Sequence, residues 1–243
     1  MPRCFIGTLH SGEGDFDKCC KMLSSQENVE ITHKIISNLP EKEAHNELWK
    51  AWYNVKQQMH YDVFVKVDAD TVLRDTKTLF NIVNEFNNND QLTGIQAPLM
   101  DYMTDQLING LNCFGPTVKF NVTESLLYCD RNVDTGHNVV LRQNDLKSCL
   151  VPAGYHCYNS TDIQAFHYGV HRALKNQTHT ILRVKDVWLI KQDRTRALAL
   201  IGARMAENFN HTNHNYTGDT LKAMFALAEA TYDKQIESIA NSR

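Results

Sequence analysis

The apolar run Val63–Leu73, "VFVKVDADTVL", stops on two aspartates one residue apart. On extended backbone, residues i and i+2 point to the same side, so Asp68 and Asp70 share one. Two carboxylates held together beside an apolar core repel, and burial makes the repulsion costlier. A divalent cation removes that cost. Hard oxygen ligands suit Mg²⁺ or Mn²⁺, and such sites usually keep open positions for substrate phosphates. The alternative is a turn or a helix cap on a solvated loop, and the Asp-x-Asp pair is too short to choose between the two.

The elements around the pair give it a context. "RCFIGTL" reads as a buried strand, and "DFDKCCKMLSS" as a helix with its N-cap at or beside Asp15. "VEITHKII" alternates as a strand does. "SNLPEKEAHNELWKAWYNVKQQ" places Pro40 at a helix start and Leu48, Trp52 and Val55 at helical spacing. "YDVFVKV" is the next strand, "DTKTLFNIVNEFNNN" the next helix and "LTGIQAPL" a further strand. A β-α-β-α-β order calls for a parallel sheet with right-handed crossovers, hence an open α/β fold. In such sheets ligands bind beyond the carboxyl ends of the strands, which is where Asp68 and Asp70 fall. Further on, "TVKFNVTESLLYC", "HNVVLRQ" and "CLVPAGYHCYN" read as strands without long helices between them, so the sheet turns mixed, with an antiparallel edge. From Ser160 the chain is mostly helical: "STDIQAFHYGVHRALKN" opens on capping residues, "DRTRALALIGARMAENF" follows, and a last helix runs from about Asp219. The polar linker "NHTNHNYTG" separates the last two. The expected organisation is a domain over 1–159, with its nucleotide-binding half at 1–100, and a helical extension over 160–243.

Composition narrows the function classes. The chain has 243 residues, 42% hydrophobic and 22% charged, which suits a globular protein with a substantial core. A net charge of −3 without a basic block argues against a nucleic-acid partner. No apolar stretch approaches the roughly 20 residues that span a bilayer. The start, "MPRCFIGTLHSG", lacks the pattern of a secretory leader. Seven cysteines, with an adjacent pair and no CxxC, suit reduced thiols and a cytoplasmic location. The sequons at Asn121, Asn159, Asn176, Asn210 and Asn215 then read as Asn-rich composition rather than as glycosylation sites.

From Cys4 to Leu73 the sequence resembles the nucleotide-binding half of GT-A-fold glycosyltransferases, whose mark is β-α-β-α-β ending in DxD, as in "VFVKVDADTVL". The loop "GTLHSGEGD" after the first strand fits that pattern, and "VDTGHNVVLRQNDL" resembles the acceptor-side strand. The size is similar to that of compact enzymes of bacteria and phages, and the helical tail departs from the general family pattern. The resemblance implies a GT-A-like mixed sheet and a metal-dependent glycosyltransferase of the hexosyltransferase type. It would move a sugar from a nucleotide diphosphate, a UDP-sugar foremost, to an acceptor that the sequence does not name. It further implies that Asp70 binds the metal and that Asp68 binds metal or the donor's ribose. A late histidine, His156 or His167, would complete the shell, and imidazole favours Mn²⁺ over Mg²⁺. Thr8, His10, Ser11 and Glu13 are candidates to hold the nucleoside, Asn46 and Lys50 to reach ribose or phosphate, and Arg142 and Arg172 to reach phosphate. An inverting reaction needs a carboxylate base, for which Asp134 and Asp162 are the candidates; Asp162 also suits a helix cap.

Two other readings compete. "DADTVL" looks like the nucleophile loop of haloacid-dehalogenase-type phosphatases, but the chain lacks the later acidic pair that those enzymes place near the metal. A non-catalytic nucleotide-sugar-binding module is the other. The apolar stripe Leu221–Phe225–Ala228–Tyr232–Ile236–Ile239 requires a partner surface, either within the chain or between copies, so a homo-oligomer joined through the C-terminal helices is a further expectation.

Overall fold

The structure, a computed structural model, describes residues 1–130, 139–210, 214–216 and 218–241, and the backbone alone of 133–134. In chain order the elements are β1 (Arg3–His10), α1 (Phe16–Ser24), β2 (Glu30–Ser37), α2 (Glu41–Gln58), β3 (Val63–Lys66), β4 (Thr71–Leu73), α3 (Thr78–Asn87), β5 (Leu92–Asp101), β6 (Gln106–Phe114) and β7 (Lys119–Phe120). There follow β8 (Val133–Asp134), β9 (Val139–Leu141), β10 (Gly154–His156), α4 (Asp162–Leu174), α5 (Thr178–Lys191), α6 (Arg194–Arg204), α7 (Asp219–Ala230) and α8 (Tyr232–Asn241). Among the described residues no helix is long and apolar enough to cross a membrane.

The chain forms two compact units. The first comprises Met1–Tyr102, Gln106–Glu124 and Tyr128–Tyr158. Its sheet has the order β2-β1-β3-β6-β5-β10-β4, with β9 also paired to β5. β1 runs parallel to β2 and β3, β6 runs antiparallel to both β3 and β5, and β10 runs parallel to β5 and antiparallel to β4. This is the α/β fold expected from the sequence, a parallel half continued by a mixed half. Alternation along the central strands feeds two cores. Val63 and Val65 pack with Leu79 and Ile82 of α3 on one face, while Phe64 packs with Leu48, Trp49 and Trp52 of α2 on the other. Burial on both faces explains why "VFVKV" is an unbroken apolar run apart from Lys66.

Three readings of the sequence need correction. "TVKFNVTESLLYC" contributes only Lys119–Phe120 to a strand, paired with β8. Thr123, further on, finds partners for its backbone on α2 instead: the Asn46 side chain accepts from Thr123 N–H at 2.9 Å and donates to its carbonyl at 3.2 Å. "CLVPAGYHCYN" is a 3₁₀ turn, Ser148–Leu150, followed by the short β10; Pro152 offers no ladder donor. The last helix is two: at Thr231 the backbone leaves the helical range, with φ −118° and ψ 13°, and its hydroxyl donates to the Leu227 carbonyl at 2.8 Å, so α7 closes before α8 begins.

The second unit, Met103–Asp105, Ser125–Leu127 and Asn159–Arg243, is helical. Thr161 caps α4 in a reciprocal box with Gln164, and the Asp193 carboxylate caps α6 by accepting from Arg196 N–H at 2.9 Å. α4 and α6 meet backbone to backbone at two glycines. A Cβ on Gly169 would stand 1.7 Å from the Ala199 carbonyl oxygen, and one on Gly202 would stand 2.0 Å from that of Phe166. Alanine in a helix interior ordinarily stabilises by about 1 kcal/mol relative to glycine. Here the sign should reverse, because the added methyl forces the helices apart, at a cost of about 1–3 kcal/mol or more. Gly202→Ala and Gly169→Ala should each lower the melting temperature; an unchanged or raised value would show that the two backbones are not in contact.

Candidate metal and donor site

The site begins where β3 ends. Val67 N–H still reaches the Gly7 carbonyl at 3.0 Å, and the Asp68 carbonyl then accepts from Thr71 N–H at 2.9 Å. This tight turn delivers the chain into β4, whose Thr71 is in register with His156 of β10. The Asp70 carbonyl accepts from Cys157 N–H at 2.9 Å. A ring nitrogen of His156, the Cys157 sulfur and an Asp70 carboxylate oxygen consequently lie within 4.8 Å of one another. His156 Nε2 is 3.5 Å from Asp70 Oδ2, and Cys157 Sγ donates to the same oxygen at 3.3 Å.

His156 is oriented from behind. Its Nδ1 donates to Asp101 Oδ1 at 2.7 Å, and Asp101, the last residue of β5, is fully buried and in register with it. A carboxylate on one ring nitrogen fixes the ring and leaves the other nitrogen for a metal, a common outer-shell arrangement at histidine-ligated sites. Cys157 has φ 61°, a left-handed conformation that costs a non-glycine residue energy and that often marks functional positions.

Charge is dense here. Burial pulls the His156 imidazolium down, yet Cys157, Asp70 and the bond to Asp101 outweigh it and hold it well above its usual range. Burial likewise raises the Cys157 thiol to about 12, with Asp70 adding to the effect. Burial works against the charged form of Asp68, but Lys66 Nζ, donating to Oδ1 at 2.7 Å, keeps the carboxyl below its ordinary value. Lys66 is itself buried, and Asp68 and Asp130 overcome that burial and raise it. Glu13, in the β1–α1 loop, is raised to about 7, first by burial and then by Asp70 and Asp68, although the Ser11 N–H it accepts at 2.6 Å opposes the rise.

Asp68, Asp70, His156 and the β1 loop thus belong to the first unit. Thr8 is buried with its hydroxyl 2.9 Å from His33 Nε2, and His10 stacks on Phe16 with ring centroids 3.7 Å apart. Asn46 is engaged by Thr123, as described above. Lys50 donates to Glu47 at 2.6 Å on an exposed helix face, and Arg142 donates to Gln96 at 2.9 Å. The side chain of Asp134 lies outside the described residues. His167 and Asp162 belong to the second unit. His167 stacks with His171 and His214, and burial lowers it to about 4. Asp162 accepts from Arg194 at 2.9 Å, and Arg194 also grips Glu229; Arg172 donates to Gln177 at 2.8 Å.

Sequence reasoning missed Lys66, Asp101 and Cys157. Lys66 did leave a signal, as the one charged residue inside a doubly buried strand. Asp101 and Cys157 left none, because their roles depend on the β5–β10–β4 register.

No family model and no curated protein matches the chain. Among solved structures, a mannosyltransferase from Pyrobaculum calidifontis in complex with GDP-Man and Mn²⁺ is similar at 12% identity with a TM-score of 0.33, over 99% of this chain and 85% of that one. A superposition that loose fixes neither donor nor metal for this chain.

Glu13 supplies a test of the charge crowding. Its folded carboxyl takes up a proton at higher pH than an ordinary one, about 7 against 4.5. Between those values the native state binds more protons than the unfolded state, so stability falls as pH rises through the window. The whole shift is worth at most about 3 kcal/mol. With chelator present, Glu13→Gln should stabilise the protein above that window and have little effect below it. Equal effects on melting temperature at both ends would remove the crowding at Glu13.

Proposed function

We propose that the chain is a metal-dependent glycosyltransferase that takes a nucleotide-diphosphate sugar, with a UDP-sugar the first donor to test. The observation that carries this reading is the Asp70–His156 pair, backed by Asp101, at the carboxyl end of a parallel strand in an open α/β sheet. The donor set suits a divalent cation: a carboxylate and an oriented imidazole, with Cys157 close enough to add a softer ligand. Mn²⁺ accepts this combination more readily than Mg²⁺ does. Bound there, the ion would offset charge developing on the leaving diphosphate.

The residues divide the remaining work. Asp70 and His156 hold the metal, and Asp101 keeps His156 Nε2 turned toward it. Asp68, whose Oδ1 is held by Lys66, reaches metal or ribose with the rest of its carboxylate. His10, Ser11 and Glu13 follow the end of β1 and bind the nucleoside, while Thr8, buried and engaged by His33, supports the strand that carries them. Asp134 is retained as a candidate base for the acceptor hydroxyl. Asp162 is already committed to Arg194, which favours a structural role for it.

Thermal shift with UDP, with and without Mn²⁺, followed by hydrolysis of UDP-sugars, tests the reading. UDP should stabilise the protein only when Mn²⁺ is present, and slow release of UDP from a UDP-sugar should need the same ion. Asp70→Asn should abolish both. Turnover undiminished in Asp70→Asn would sink the metal assignment, and stabilisation without any donor hydrolysis would point to a binding module instead. Asp101→Asn leaves the direct ligands in place and should weaken Mn²⁺ binding about 10- to 100-fold, as loss of outer-shell partners typically does. An unchanged Mn²⁺ affinity would mean that Asp101 does not position His156.

A further inference from the structure

A separate group of metal-ligand atoms lies at the start of α2. One ring nitrogen of His45, the sulfur of Cys129 and a carboxylate oxygen of Glu41 lie within 4.8 Å of one another. Glu41 and His45 stand four apart on the first turns of α2, so they share a helix face. Cys129 comes from the irregular segment after β7 and is 1% exposed.

His45 provides the second, independent observation. It is 2% exposed, and its Nδ1 is 2.8 Å from the Glu41 carbonyl. A carbonyl can only accept, so Nδ1 carries the proton and Nε2 presents a lone pair. That Nε2 is buried and has no hydrogen-bond partner among the described residues. An acceptor left this way forfeits its bond to water without replacement. A histidine with Nδ1 fixed on a backbone carbonyl and Nε2 open is how imidazole is usually prepared for a metal. Burial foremost, then Lys66, lowers His45 to about 4, which keeps the imidazole neutral.

We infer that Glu41, His45 and Cys129 form a second metal site, for a zinc-type ion, which ties the segment around Cys129 to the start of α2. Thiolate with imidazole and a single carboxylate selects Zn²⁺ over Mn²⁺ or Mg²⁺. Ligands on a tetrahedral zinc ion stand about 3.3–3.8 Å apart, so small side-chain movements close the site. Binding displaces the Cys129 thiol proton to solvent, and the sulfur's electron pair forms the metal bond. The nearby charges permit a cation. Lys66 opposes it, but Asp68 and Asp130, both of which act on His45, and the Glu41 carboxylate itself outnumber that ammonium. Three protein ligands leave a fourth position for water.

Cobalt(II) is the probe, because a cobalt–thiolate bond gives a charge-transfer band in the near ultraviolet. The full chain is used with Cys157→Ser and Asp70→Asn in place, so that the other thiol-bearing group is disabled. Metal-stripped protein titrated with Co²⁺ should show a saturable band, and Zn²⁺ should displace it. Adding Cys129→Ser should remove the band, and His45→Gln should remove it or raise the Co²⁺ concentration that produces it at least tenfold, with circular dichroism confirming that each variant is folded. A band that survives Cys129→Ser, or no band in the background protein, overturns the site. If Cys129→Ser fails to fold, the band in His45→Gln decides alone: a thiolate band at unchanged Co²⁺ concentration overturns the site, and its loss or a tenfold or greater weakening supports it.

Discussion

Carboxylates crowd the carboxyl end of β3, and much of the first unit is arranged to tolerate them. Asp68, Asp70, Asp101 and Glu13 all act on one small region, and each is accommodated differently. Asp68 has the buried Lys66 as a counter-ion. Asp70 and Asp101 share His156, which burial alone would have left neutral. Glu13 holds its proton to higher pH than usual. A buried charge with a single partner is exposed to large penalties if that partner is lost. The same arrangement keeps protons on groups that a cation would replace, which links metal loading to acidity in the surrounding solution.

The β-α-β-α-β half was legible because its signals are local. Apolar runs, helical spacing and the position of Pro40 all lie within one window of sequence. The Asp-x-Asp pair was legible for the same reason, but as the extended end of a strand; the structure instead places it in a turn closed by Thr71 N–H on the Asp68 carbonyl. What escaped depends on register between distant segments. Asp70 and Cys157 are separated by 87 positions and meet through strands of three residues each, too short to leave a periodic pattern. Asp101 reads as the ordinary polar end of a strand until β10 is laid beside it. In the sequence, His156 and His167 stood as equal candidates; the fold puts one beside Asp70 and gathers the other with two more imidazoles.

The helical half shows a different failure. α5 fell within the stretch expected to be mostly helical but was not delimited, because Leu182, Leu189 and Ile190 are exposed on it and apolar residues on the solvent side blur the helical stripe. The single C-terminal helix was over-read: a continuous apolar spacing survives the break at Thr231, since the backbone leaves the helical range there without changing the pattern of side chains. β6 was missed because Asn109, Gly110 and Asn112 interrupt its sequence, although Leu111 and Cys113 are fully buried.

The glycine contact between α4 and α6 has a consequence for motion. Most helix pairs loosen by side-chain rotamer hops, which need no separation of the backbones. At Gly169 and Gly202 there is no side chain to hop, and the facing carbonyls sit where a methyl would be. Local opening of this pair therefore requires the helices themselves to part, which exposes Phe166, Leu198 and Ile201 together. Amide protons in the middle of α4 and α6 should exchange with solvent only through an opening that approaches complete unfolding of the second unit, whereas those of α7, which leaves Leu227 half exposed, have a cheaper route.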